Sequence, residues 1–352
     1  MALLPDQLDD FVNLTLDQFK KKKWIDLSLD QQHHIFAQKF LSGNTREPVR
    51  GGTQLNWKVQ TSNTGTAKFS ELYSVDATAV KDLTTEAKQQ WTKSTVNFSY
   101  DVDEDAMQSD RETIIRELQV REHSMYNDWF ELMETALWSA PSSSSQSPRR
   151  PSGIPFWIQK SATTPAGGFT GGDPSGFSSG AGGIAVADVP NWKNWSFNYT
   201  SAGSRDDLVE KARKACEFTQ FMAPKQYAEL GGGKSDSDWA FYTTYNVQSS
   251  LEKLLESRND NLGVDLAKYS GAVTLKGNPI IWVPYLQNND SSNPFYGVNH
   301  RVFKWFFKTG REMLRHAPKE AAKQHTVREV HMDTWGNFVC YNRRKLFVGY
   351  QA

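Results

Sequence analysis

The hydrophobic period changes several times along the first half of the chain. In residues 5–22 apolar side chains recur every three to four positions, which predicts a short amphipathic helix. Ser28 is a suitable N-cap for a second helix that would run to Leu41, before Gly43. Two short helices ahead of the first strand indicate an N-terminal arm, residues 1–50, that has to dock on another surface.

From residue 51 the period falls to two. Apolar and polar residues alternate around Trp57 and again around Phe98, which predicts two strands. The segment between them, residues 60–95, is far longer than the roughly 2 to 5 residues of an ordinary hairpin loop. We therefore predict that residues 51–100 form a two-stranded ribbon that projects from the body. Such a ribbon is marginally stable alone and gains stability from a neighbour.

The strongest helical pattern follows the ribbon. Apolar positions at helical spacing predict one long helix over residues 104–139, and Pro141 stops it. At 1.5 Å per residue, ~30 residues make a rod of about 45 Å. A serine-rich stretch and a glycine-rich tract, residues 165–183, come next and are predicted to be surface loops or mobile segments.

The second half alternates between helical and extended patterns. Helices are predicted from Asp206 to Met222 and from Val247 to about Ser257, which with intervening strands indicates an α/β domain. The strands expected in this half are residues 239–245, 272–275, 280–284, 295–307, 327–333 and 338–342, the last two joined through Thr334, Trp335, Gly336 and Asn337.

Composition excludes several classes of function. Lys plus Arg number 40 and Asp plus Glu number 40, so no global basic field draws the chain to nucleic acid or to an anionic membrane. No stretch approaches the ~20 apolar residues of a membrane span. Cys216 and Cys340 lie far apart without metal-type spacing, which favours synthesis in a reducing compartment. The sequence thus predicts a soluble, unexported protein.

The sequence offers little catalytic chemistry. None of the seven histidines has HExxH spacing, and Cys216 stands on a helix face where a small buried thiol is the simpler reading. The glycines before Lys234 lack the first glycine of a phosphate loop, because position 228 is Ala. We predict no catalytic residue, no cofactor and no metal site.

The order of these elements resembles the shell fold of tailed-bacteriophage major capsid proteins, which encapsulins share. The phrases LKGNPIIWVPYL, FYGVN and HTVREVHMDTWGNFVCYNRR carry the resemblance locally. It implies an α+β fold with an N-terminal arm, an extended β-hairpin loop, a peripheral domain with a long spine helix, and an α/β axial domain. The corresponding divisions are residues 1–50 for the arm, 51–100 for the extended loop, 101–202 for the peripheral domain with its spine helix at 104–139, 203–305 for the axial domain, and 306–352 for the returning peripheral strands.

The resemblance also implies a function and partners. The chain would self-assemble as pentamers and hexamers into an icosahedral head around double-stranded DNA, as a virion protein made in the host cytoplasm. Scaffolding and portal proteins would be partners, decoration proteins are a further option, and covalent crosslinking through lysines is not expected. The residues expected between subunits are Leu55, Trp57, Val59, Phe69, Tyr73, Trp91, Trp282 and Tyr285. The residues expected to face DNA are Lys20, Lys21, Lys22 and Lys23, for which a solvated helix end is the simpler alternative.

Two alternatives stay open. An encapsulin-like nanocompartment shell has the same fold and would differ only in its cargo. An aromatic-rich carbohydrate-binding or hydrolytic protein is a different class, and Trp192, Trp195, Trp239 and Trp282 suggest it.

Overall fold

A computed structural model describes residues 28–29, 33–41, 43–73, 80–103, 111–221, 238–256, 273–322 and 324–351. The chain divides into two compact units. The first takes residues 1–32, 95–131 and 313–333, and the second takes residues 33–94, 132–312 and 334–352. The predicted helix at residues 5–22 lies outside the described residues, as do the four lysines of the predicted DNA-facing run.

The elements are as follows. The strands are β1 Arg46–Val49, β2 Gln54–Gln60, β3 Thr84–Gln90, β4 Thr92–Asp101, β5 Trp195–Tyr199, β6 Trp239–Thr243, β7 Thr274–Leu275, β8 Asn278–Trp282, β9 Phe295–Asn299, β10 Phe303–Lys308, β11 Leu314–Arg315, β12 Lys319–Ala321, β13 Gln324–Cys340 and β14 Phe347–Gln351. The α-helices are α1 Arg111–Leu137, α2 Ile154–Trp157, α3 Glu210–Phe218, α4 Tyr245–Glu256 and α5 Pro284–Asn289. A π-helical segment, Phe36–Phe40, is called the arm helix below, and a second one, Arg205–Val209, leads into α3.

The first unit combines most of α1 with a sheet. The early part of β13 pairs antiparallel with β11 and β12 and also pairs with β4. The buried apolar side chains of this unit include Met125 and Trp129 from α1 and Met332 from β13. Arg315 on β11 and Glu122 on α1 form an ion pair at 2.5 Å. The predicted spine helix is thus confirmed from Arg111 onward, and residues 104–110 lie outside the described part.

In the second unit, β10 joins β1 in parallel and the late part of β13 in antiparallel register. The arm helix packs on this sheet, because the fully buried Phe36 and Phe40 make edge contacts with the ring of Phe338. Residues 33–49 therefore dock on their own unit. This differs from the expectation that the whole arm, residues 1–50, reaches another molecule.

The prediction of two separate strands joined through Thr334, Trp335, Gly336 and Asn337 is wrong. Residues 324–340 form one 17-residue strand, β13. Gly336 suggested a turn, but it stands in the ladder opposite Phe307, where a Cβ would overlap the ring of Trp305. The glycine provides room for close packing, not a reversal of the chain.

The second sheet includes the strands expected in the α/β domain at residues 203–305, and also β5 and β14, which lie outside that range. Its order is β5-β14-β9-β6-β8-β7, with α3 and α4 packed on it around the fully buried Phe241 and Phe347. The predicted strand at residues 295–307 is two strands in different sheets. The side-chain oxygen of Asn299 accepts from the backbone N–H of Arg301 at 3.1 Å and turns the chain between them.

One strand boundary and one whole strand also differ from the prediction, each for a physical reason. The strand expected at residues 280–284 ends at Trp282, because Pro284 occupies the first turn of α5, where its missing N–H costs nothing. The central strand β14 was not predicted at all, since its five residues FVGYQ are too few to show a period.

The glycine-rich tract is a loop, as predicted, but it is packed into the body. Arg343 is completely buried and donates to the carbonyl oxygens of Trp157, Trp192 and Gly172 at 2.9, 3.0 and 2.7 Å. A Cβ at Gly171 would overlap the side chain of Asn194. Both contacts hold the tract against the body, which favours the first of the two predicted options, a surface loop, over a mobile segment.

Candidate functional site

The ribbon is the candidate functional site, and its paired part is shorter than predicted. β2 pairs antiparallel with β3, from Gln54 opposite Gln90 to Gln60 opposite Thr84, and not with β4. β4 instead joins the sheet that contains β13. The sequence pattern missed β3 because TTEAKQQ has a single apolar side chain, Ala87, although that side chain is fully buried.

The base of the ribbon is fixed to its own unit. Trp57 on β2 lies 6.1 Å from the ring of Trp157 and 6.5 Å from that of Tyr341, measured between centroids. The backbone N–H of Lys88 donates to the carbonyl of Gly182 at 2.7 Å. These contacts set the direction in which the ribbon leaves the body.

The segment beyond the paired strands, residues 61–83, is called the ribbon tip. Four large apolar side chains of the tip are almost entirely in solvent: the relative exposures of Phe69, Leu72, Tyr73 and Val80 are 108, 90, 101 and 104 %. Soluble monomers rarely leave clustered large apolar groups uncovered without a partner for them. The tip is therefore an unpartnered apolar surface on a fixed stalk.

The predicted intersubunit residues fall into three groups. Leu55 and Trp91 are already buried within the chain, in a cluster with Phe306 and Val339. Trp57 and Val59 are partly buried on the ribbon, and Phe69 and Tyr73 are exposed on its tip. The remaining two, Trp282 and Tyr285, lie away from the ribbon, on the second sheet and on α5. The prediction that all eight lie between subunits stays a prediction.

Trp282 and Tyr285 stand at and just beyond the end of β8, and both are partly buried. The ring of Trp282 makes edge contacts with His33 and with Tyr245, whose centroids lie 5.0 and 6.1 Å away. Tyr245 is about half exposed. This small aromatic patch is a second partly uncovered surface of the same unit.

Three buried ionisable groups, Cys216, Cys340 and His300, are held in their neutral forms. Burial raises the pKa of the Cys216 and Cys340 thiols to about 12, so neither is a thiolate at neutral pH. Burial, with the charge of Lys39, lowers the pKa of His300 to about 3, and its Nε2 shares a 2.8 Å hydrogen bond with Tyr242 Oη. These groups serve packing.

The described residues contain no cluster of three or more His, Cys, Asp or Glu side chains arranged to hold a metal ion. No helix among them is both long and apolar enough to cross a membrane.

The tryptophans that suggested carbohydrate binding do not form a platform. Trp192, Trp195 and Trp239 are all buried, and only Trp282 is partly accessible. A sugar stacks on an exposed aromatic face, so this alternative loses the observation that motivated it.

No family model and no curated protein matches the sequence. Solved structures do match over nearly the whole chain. The capsid asymmetric unit of cyanophage A-1(L) is 11% identical, with 96% of this chain and 98% of that chain covered and a TM-score of 0.59. The capsid of the native GTA particle is 11% identical, with 96% of each chain covered and a TM-score of 0.56. The capsid of Myoviridae phage XM1 is 7% identical, covering 100% of this chain and 99% of that one, with a TM-score of 0.54. These likenesses show that the chain has the α+β shell fold of phage capsids.

Proposed function

We propose that this chain, which has the phage capsid shell fold, is the major capsid protein of a tailed bacteriophage. Its copies form the pentamers and hexamers of an icosahedral head around double-stranded DNA, and the subunit acts by assembly without catalysis. The observation that carries this proposal is the ribbon, whose base is fixed to the body while Phe69, Leu72, Tyr73 and Val80 are uncovered at its tip.

The physical argument is one of burial. Covering a large apolar side chain is worth about 1.5–3 kcal/mol, and a two-stranded ribbon is marginally stable alone. A tip that cannot bury these groups on its own body gains that free energy from a neighbouring copy. Repeated around a closed ring of subunits, the same contact is made once per copy and stabilises the whole shell.

The remaining partners follow from the same proposal. The subunit is made in the host cytoplasm, works with scaffolding and portal proteins, and ends in the virion in non-specific contact with DNA. The run Lys20, Lys21, Lys22 and Lys23 is proposed to face the DNA on its charge alone. Trp282 and Tyr285 are proposed as a second contact between subunits.

The test replaces residues 62–82 with Asn-Gly. This two-residue turn suits a hairpin, and the N–H of Thr61 already bonds the carbonyl of Leu83 at 3.0 Å. We expect the wild-type chain to form megadalton particles in size-exclusion chromatography and electron microscopy. The shortened chain should keep its circular dichroism spectrum and form no closed particles.

A milder variant separates apolar burial from tip length. Phe69→Ser with Tyr73→Ser should lower the yield of closed particles, whereas Thr64→Ser with Thr66→Ser in the same segment should not. Normal particles from the shortened chain, or a wild-type chain that stays monomeric, would contradict the proposal. Particles that enclose a protein cargo instead of DNA would favour the encapsulin-like alternative.

A further inference from the structure

A cavity of about 190 Å³ opens at the base of the ribbon, and we call it the base pocket. Its walls come from β3, from the serine-rich segment between Pro141 and Ser152, and from the glycine-rich tract. The segment is anchored, because the N–H of Ser152 donates to Asn337 Oδ1 at 2.8 Å and Gln89 Nε2 donates to Ser152 Oγ at 2.6 Å. The pocket is thus built from fixed elements of one unit.

The rim of the base pocket is positively charged. Lys88, Arg149 and Arg150 line it, and none of the described residues that line it is acidic. Arg149 Nη1 donates to the neutral amide oxygen of Gln90 at 3.3 Å. Lys88 pairs with Glu86 at 3.4 Å, but both side chains are about half exposed, so the pair is weak. The rim is therefore left with uncompensated positive charge.

The floor of the base pocket is aromatic. Phe156 and Phe177 meet edge to face with their centroids 4.9 Å apart, and both line the cavity. An aromatic floor beneath a basic rim suits a ligand that presents an apolar side chain beside a carboxylate.

The ribbon tip carries that combination. Residues 69–73 read Phe-Ser-Glu-Leu-Tyr, and all five are exposed. The tip does not occupy the pocket of its own chain, because residues 69–73 are exposed and none of them lines the cavity.

We propose that the base pocket receives residues 69–73 of a second copy of this chain. Glu71 of the incoming tip pairs with Arg149 and Arg150, and the ring of Phe69 or Tyr73, two positions away, packs on the partly buried Phe177. The inference rests on the proposed function and names the receptor for the ribbon. Because tip and pocket are different surfaces, the contact runs head to tail, which is the type of contact that forms a ring when the rotation between copies closes.

The first test exchanges the charges. Arg149→Glu with Arg150→Glu, and separately Glu71→Arg, should each lower the yield of closed particles at least tenfold while the melting temperature stays unchanged. Combining all three changes should restore assembly. The matched control, Lys214→Glu with Lys253→Glu, reverses two exposed cations outside the pocket and should assemble normally.

The second test keeps the charges. Ser70→Cys with Ser144→Cys places one thiol on the tip and one at the pocket, while the two native cysteines are buried. Mild oxidation of assembled particles should give a ladder of covalent multimers on a non-reducing gel, and neither single variant should give one.

The outcomes separate this inference from the proposed function. If the wild-type chain forms particles, but the charge reversals also assemble and the double-cysteine chain stays monomeric on the gel, the base pocket is not the receptor and the capsid proposal stands. If the wild-type chain forms no particles, both the capsid proposal and the base-pocket proposal are contradicted.

Discussion

Glu134 on α1 accepts a hydrogen bond from the backbone N–H of Phe36 at 2.7 Å, across 98 positions of sequence. Its other carboxylate oxygen accepts from Trp138 Nε1, also at 2.7 Å. The carboxylate is completely buried and holds the first turn of the arm helix. A buried acceptor with two donors fixes where the arm segment docks.

We expect Glu134→Gln to destabilise the subunit by about 1–3 kcal/mol, because an amide has one oxygen for two donors. Burial raises the pKa of Glu134, so its contribution to stability is present below pH 4.5 and is lost as pH rises through the folded-state pKa. Urea unfolding at pH 5 and pH 8 should show the difference between wild type and variant narrowing at pH 8. Equal differences at both pH values would contradict this, and Glu210→Gln on the exposed face of α3 is the control.

The contribution of His300 to stability depends on pH in the opposite direction to that of Glu134. Because burial lowers its pKa to about 3, the folded chain keeps it neutral while the unfolded chain takes up a proton below about pH 6.5. Its contribution is present above pH 6.5 and is lost as pH falls towards 3, at about 1.4 kcal/mol per pH unit. His300→Gln should flatten the decline in unfolding free energy between pH 6 and pH 4. An unchanged slope would mean that other titratable groups cause the loss of unfolding free energy at low pH.

Arg343 holds the glycine-rich tract, and the same side chain reaches three carbonyl oxygens. Lysine has one nitrogen in place of the guanidinium fork, so Arg343→Lys leaves buried acceptors unpaired. We expect a loss of about 3 kcal/mol in chemical denaturation. Arg311→Lys, at an exposed position, should change stability by less than about 0.5 kcal/mol. Comparable losses of unfolding free energy from the two substitutions would show that the three carbonyl contacts do not stabilise the fold.

Long periodic segments were predictable from sequence. The helical spacing of Met125, Trp129 and Ala136 revealed α1, and the alternation around Trp57 revealed β2. The long segment after β2 suggested a two-stranded ribbon, but the second strand was expected around Phe98, in β4, whereas β2 pairs with β3. These features depend on local pattern, which the sequence displays directly.

What was missed depends on contacts between distant residues. β3 holds its place through backbone pairing and one buried alanine, so no hydrophobic alternation marks it. In the sequence Gly336 looks like a turn residue, and only the structure shows that the ring of Trp305 packs against it. The base pocket joins three loop-like segments, and neither a period nor a motif signals that they meet. The sequence suggests that Arg343 is a surface cation, whereas the structure buries it against three carbonyl oxygens.

The strand β14 lies between β5 and β9, and Phe347 is paired with Trp195 about 150 positions earlier in the chain. A connection of this range is slow to form, because loop closure is opposed by chain entropy before any pairing compensates for it. Until β14 inserts, both flanking strands have open edges that can pair with strands of other chains. Chains that complete this sheet before they meet one another therefore avoid this route to aggregation, and a high local concentration of newly made chains favours it.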